Sequence, residues 1–179
     1  MRKRLLVSSM IGGLMLVALS VPVLGAPGGV TNPTTQRELA QARQATAQYQ
    51  NAEIPVAEGV VGPYKELLLP TGLPVGRLSG IGYRYRVDPP FPTTFDPAIP
   101  QVLFYDDAGG GRRLIGVAYL ANSGSDTVPP EGFAGSDDKW SHFQPDGTTP
   151  FPTGVWRLHV WILEGNPAGI FNTTNPNIP

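Results

Sequence analysis

Residues 154–176 read GVWRLHVWILEGNPAGIFNTTNP, and the period of this stretch decides the fold. Val155 to Leu163 is a run of β-branched, aromatic and leucine side chains, the composition of a pleated surface that is at least half buried. Side chains alternate along a strand. Trp156, Leu158, Val160 and Ile162 therefore share one face, and Val155, Arg157, His159, Trp161 and Leu163 share the other. The first face is wholly apolar and reads as core. The second mixes a cation and an imidazole with large apolar groups, as expected of a face that is partly covered or lines a cleft. Glu164, Gly165, Asn166 and Pro167 then stop the strand, because glycine and asparagine favour turns and proline has no ladder donor.

Two neighbouring stretches carry the same period. Gly80 to Val87 (GIGYRYRV) puts Ile81, Tyr83, Tyr85 and Val87 on one face and Gly82, Arg84 and Arg86 on the other. Gln101–Tyr105 and Arg112–Leu120 read as a hairpin joined by DDAGGG, in which Asp106 and Asp107 are taken as turn formers. The three glycines suit a turn and not a phosphate cradle, since no Lys-Ser/Thr follows and no helix begins there. Upstream, Thr35-Gln36-Arg37-Glu38 fits a capping box. Leu39, Ala42, Ala45, Tyr49 and Ala52 make a narrow apolar stripe, giving a helix over about 36–53 that Pro55 ends. Residues 55–78 and 88–100 are rich in proline and glycine and read as connections, the first with one short strand. Ala121 to Thr153 is a long loop whose Trp140, His142 and Phe143 suggest a segment folded over the sheet. The fold class is α+β: an N-terminal helix packed on an antiparallel sheet of about five strands, curled toward a barrel.

Residues 1–25 have the layout of a secretory signal: Arg2, Lys3 and Arg4, an uncharged apolar run from Leu5 to Val21, and a short exit from Pro22 to Ala26 with cleavage after Gly25. Residues 26–33 read as a flexible tether, and 34–179 as one domain of a size able to bury its own core. Three of the 13 basic residues lie in the leader and none of the 14 acidic ones do, so the remainder carries 10 basic against 14 acidic side chains, a net charge near −4. That balance speaks against nucleic acid and against an anionic membrane as partner. The chain has no cysteine, which excludes disulfides, thiol chemistry and thiolate-bound metals. With 22 glycines and 20 prolines it is turn-rich, but 41% hydrophobic residues is too many for wholesale disorder; short strands joined by loops fit both.

The order Gly82-x-Arg84-Tyr85, Pro100-Gln101-Val102-Leu103-Phe104-Tyr105-Asp106, Arg113-Leu114-Ile115-Gly116-Val117-Ala118-Tyr119, Leu158-His159-Val160-Trp161, Asn166-Pro167-Ala168-Gly169-Ile170-Phe171 and Asn175-Pro176 resembles a family of uncharacterised secreted microbial proteins. That family's pattern runs GxHYxN, PExLxYE, LRLVxVEY and LHxWxWxxNPxGxFxxxNPxVxC, after an N-terminal helix ending near a Tyr-Gln pair, here Tyr49-Gln50. The resemblance implies a site of two histidines and several glutamates, suited to a metal or to acid–base work. This chain keeps His159. It has Arg84 at the first histidine, Gln101, Asp106 and Ala118 at the glutamates, and no terminal cysteine.

The function expected from the sequence is that of a secreted or periplasmic, non-catalytic binding or structural domain, not embedded in a membrane once its leader is removed. Its partner would be a small molecule or an envelope component. His159, Arg157, Trp161, Arg84, Tyr85 and Asp106 are the candidate ligand-binding residues, aromatic rings for stacking and arginines for anionic or hydroxyl groups. Strand phases alone do not say whether Arg84, Arg157 and His159 share one face. No residue is assigned a catalytic role, and nothing points to a cofactor. A metal at His159 would need two or three further ligands. The alternative is a divergent metal-dependent or His-dependent hydrolase using the His159 face, although no nucleophile-elbow or zinc-protease motif surrounds Ser79, Ser141, His142 or His159.

Overall fold

The computed structural model of the chain describes residues 32–50, 59–108, 111–135, 137–142 and 154–179. The helix α1 spans Pro33–Thr46 and continues as a 3-10 turn, Ala47–Tyr49. Seven strands follow among the described residues: β1 Val60–Val61, β2 Tyr64–Glu66, β3 Tyr83–Arg86, β4 Val102–Ala108, β5 Gly111–Asn122, β6 Ser141–His142 and β7 Val155–Val160. They form one antiparallel sheet in the order β1-β2-β3-β4-β5-β7-β6. The sheet is open, with β1 and β6 at its edges, and not curled into a barrel; the two strands added to the expected five are two-residue edge pieces.

β5 is the spine. It pairs along its first half with β4 and along its second with β7, and Leu114 to Ala121 are all buried. A bulge at Phe104/Tyr105 leaves Ile115 without a facing residue, and its carbonyl instead accepts from Leu163 N (3.2 Å) and Glu164 N (3.0 Å) where the chain leaves β7. Asp106 and Asp107, expected in a turn, lie within β4 and face Arg113 and Arg112 across the pair. The ladder runs through both pairs to Ala108 and Gly111, although each arginine makes its ion pair elsewhere, Arg113 with Glu164 and Arg112 with Glu66. Gly109 and Gly110 are outside the described residues.

The sheet has two buried faces. On the first, Tyr85, Leu103, Tyr105, Val117, Tyr119, Leu158 and Val160 pack with Leu39 and Ala42 of α1 and with Phe133 and Phe171 from loops. The helix is tied down by Arg43 Nε, which donates to Ile162 O at 2.8 Å, and by Tyr105, whose hydroxyl donates to Tyr49 O at 2.8 Å. On the second face Val102, Phe104, Ile115, Ala118, Leu120, Val155 and Trp161 pack with Phe91 and Ile178. Residues 166–178 hold themselves in place: Asn166 Nδ2 donates to Thr174 O (2.9 Å) and Asn175 Nδ2 to Gly165 O (3.1 Å). Both asparagines are buried with these bonds made, as burial of an amide requires.

The helix starts earlier than its sequence signal. Asn32 is the N-cap, its side-chain oxygen accepting from Thr34 N (2.9 Å) and Thr35 N (3.4 Å), and Pro33 opens the first turn. Asn32 and Pro33 thus belong to the helix and not to a tether. The remaining tether, the leader and residues 51–53 of the expected helix lie outside the described residues. Among the described residues no helix is long and apolar enough to cross a membrane.

Candidate functional site

Strand register decides which candidates meet. Arg84 on β3 faces Phe104 on β4, and Phe104 faces Gly116 on β5. On the same face, Ala118 sits opposite His159, and Leu120 opposite Arg157. Arg84, Arg157 and His159 therefore share one face, with the small residues Gly116 and Ala118 between the outer positions. Long side chains can lean over such a gap, and the charges interact: Arg157 and Arg84 both act on His159, and Arg157 acts on Arg84.

His159 is only 2% exposed. Its ring lies edge-on to Phe104, with centroids 4.8 Å apart, and edge-on to Trp161 at 6.4 Å. Nδ1 is 2.6 Å from Thr173 O. A carbonyl can only accept, so Nδ1 carries the proton and the ring is the neutral Nδ1–H tautomer. Burial first, and then the positive charge of Arg157, lower its pKa from 6.5 to about 3. Trp161 is equally committed: it is buried, and its Nε1 donates to Asn172 O at 2.7 Å.

Arg84 is different. Burial lowers the basicity of both Arg84 and Arg157, and at Arg84 the nearby charges of Arg157 and Arg86 add to the effect. Arg84 Nε is buried without a hydrogen-bond partner, and among the described residues Arg84 forms no ion pair. The chain has been compared with protein-family models, with curated proteins and with solved structures, and nothing matches.

Of two other expected members, Tyr85 lies on the opposite face, and Asp106, on the Phe104 face of β4, is committed to Arg77. Tyr85 is on the first face, fully buried, with its hydroxyl bonded to Arg112, whose guanidinium also stacks 3.6 Å over the Tyr83 ring. The alternation within GIGYRYRV already separates Tyr85 from Arg84, so one face could not have used both. Asp106 is bound by Arg77, with Nε at 2.9 Å and Nη2 at 2.8 Å from the same oxygen. Arg84 and Ala118 share the His159 face. Among the described residues no group of three or more His, Asp or Glu is placed to hold a metal ion. His142 meets Asp126 at 2.8 Å, while Ser141 Oγ donates to Arg157 O. Sequence reasoning missed Asp138 and Gly132 and took Trp140 only as part of a segment folded over the sheet; the three line a hollow in the long loop.

Proposed function

We propose that the protein is an exported, non-catalytic binding domain that takes a small anionic group at Arg84. The observation that carries this is Arg84: a half-buried guanidinium next to other cations, with its Nε shut off from water and unpaired. Desolvating a charge costs free energy unless an opposite charge or hydrogen bonds offset it. A carboxylate or phosphate would supply both, because two of its oxygens match the planar fork of a guanidinium. The exchange of a histidine and a glutamate in the resembled family's pattern for Arg84 and Ala118 points the same way, since it adds a cation and removes a carboxylate. The hydrolase reading has less support, since His159 spends its proton on Thr173 and Asp106 is held by Arg77.

Thermal unfolding at fixed ionic strength tests this with phosphate, sulfate and citrate against chloride. At least one anion raises the Tm of the wild type, and the rise disappears in Arg84→Gln. No rise with any of the three, or the same rise in both proteins, overturns the reading. Export is tested by N-terminal sequencing of the protein recovered outside the cytoplasm: a start at Ala26 supports it, and retention of Met1 in the cytoplasm refutes it.

A further inference from the structure

The loop between β5 and β6 builds a second site, on the helix side of the sheet. Its peptide at Ala134 is gripped by the first turns of α1: Ala134 N donates to Glu38 Oε2 at 2.8 Å, and Ala134 O accepts from Thr35 Oγ1. Phe133 is buried against Phe95, Tyr119 and Phe171. So anchored, the loop shapes an open hollow of about 430 Å³ lined by Glu131, Gly132, Asp138 and Trp140. Through Pro130, Glu131 and Gly132 it adjoins a second hollow of about 440 Å³ that reaches Glu38, Thr93, Thr94 and Ser123.

Two polar atoms there, Asp138 Oδ1 and Trp140 Nε1, are buried and have no hydrogen-bond partner among the described residues. Both side chains converge on Gly132. A β-carbon at that residue would run into the Asp138 carboxyl and lie 2.8 Å from Trp140 Nε1. Only glycine lets the backbone come so close to the indole N–H and to Asp138 Oδ2, the carboxyl oxygen next to the unpaired Oδ1. The indole can only donate. A single ligand group that satisfies both must accept one hydrogen bond and donate another, which an ammonium cannot do. An anion would meet the charges of Glu38 and Asp137, which act on Asp138. A hydroxyl fits. Water has the same chemistry, so a bound hydroxyl must displace it. Phe95 lies edge-on to Trp140, with centroids 6.4 Å apart, and the threonine and serine hydroxyls next door extend the polar lining.

We propose that this pocket binds a neutral sugar or polyol, with Asp138 and Trp140 holding one of its hydroxyl groups. Burial, aided by Glu38 and Asp137, lifts the Asp138 carboxyl to a pKa of about 7, so that near neutrality it can either accept or donate to that hydroxyl.

The full chain is titrated with glucose, maltotriose and triacetylchitotriose, using saturation-transfer NMR and calorimetry. At least one sugar binds the wild type, and Trp140→Phe, which keeps the ring and removes the N–H, weakens it about tenfold. Asp138→Asn tests the other half, with Trp140→Phe sufficient if that variant does not fold. Arg84→Gln binds the sugar as the wild type does, which separates this site from the anion-binding face. Absence of binding at millimolar sugar, or unchanged binding in Trp140→Phe, overturns the proposal.

Discussion

The carbonyl oxygen of Tyr105 occupies the place where residue 82 would carry a β-carbon, and Gly82 has a φ of +84°. The two facts act together: the left-handed backbone turns the chain just before β3, and β4 passes directly behind it. Ile81 consequently packs with the second-face cluster, while Tyr83, Tyr85 and Val87 stay with the first. Gly82→Ala meets both the backbone strain and the collision. It is expected to cost more than about 2 kcal/mol in urea unfolding. A cost below about 0.5 kcal/mol would mean that β3 and β4 separate without penalty.

Asp106 is 8% exposed and takes two charge-assisted bonds from Arg77, whose third nitrogen meets the carbonyl of Pro179. Arg77→Met leaves this carboxylate buried and alone, at an expected cost of about 2 kcal/mol or more. Asp106→Asn in the same chain removes the stranded charge, so the double variant loses less than the two single losses combined. Additive losses would show that the pair contributes nothing as a pair.

The alternation of Val155–Leu163 and of GIGYRYRV was enough to assign both sheet faces, because one face of each run is apolar throughout. Ile81 broke the pattern, since a positive φ at Gly82 is a property of the backbone that periodicity does not encode. The number of strands was less legible: β1 and β6 are two residues each, too short to show any period. At the candidate site, Arg84, Arg157 and His159 could be named individually, but their meeting depends on the register of four strands. Asp138 and Trp140 were hidden for another reason. Their juxtaposition is made by close approach to Gly132 within a loop, where no repeating geometry relates sequence spacing to distance.

The helix start offers two hydroxyl or amide caps that chemistry can tell apart. Asn32 caps α1, so Asn32→Ala is expected to cost about 1 kcal/mol. Thr35 bonds the loop carbonyl of Ala134. Thr35→Val should therefore disturb the loop and shift the Trp140 fluorescence, whereas Asn32→Ala should not. The reverse assignment of effects would restore Thr35 as the cap.

His159 and Asp138 set opposite pH slopes. Folding lowers the His159 pKa from 6.5 to about 3 under burial and the charges of Arg157 and Arg84. Between those values the unfolded chain holds a proton that the native ring lacks, so stability falls as pH drops below about 6.5. Folding raises the Asp138 pKa from 3.8 to about 7 under burial and the charges of Glu38 and Asp137. There the native state holds the extra proton, and stability falls as pH rises from about 4 to 7. Each slope is at most about 1.4 kcal/mol per pH unit, and solvent screening at the half-buried Asp138 makes its slope the smaller. The two offset each other in the wild type. Relative to the wild type, Asp138→Asn gains stability as pH rises from 4.5 to 6.5, and His159→Gln loses it over the same range. Urea unfolding at pH 4.5, 5.5, 6.5 and 7.5 reads the differences, in which every other titrating group cancels. Parallel curves for the three proteins would show that neither side chain changes its protonation on folding.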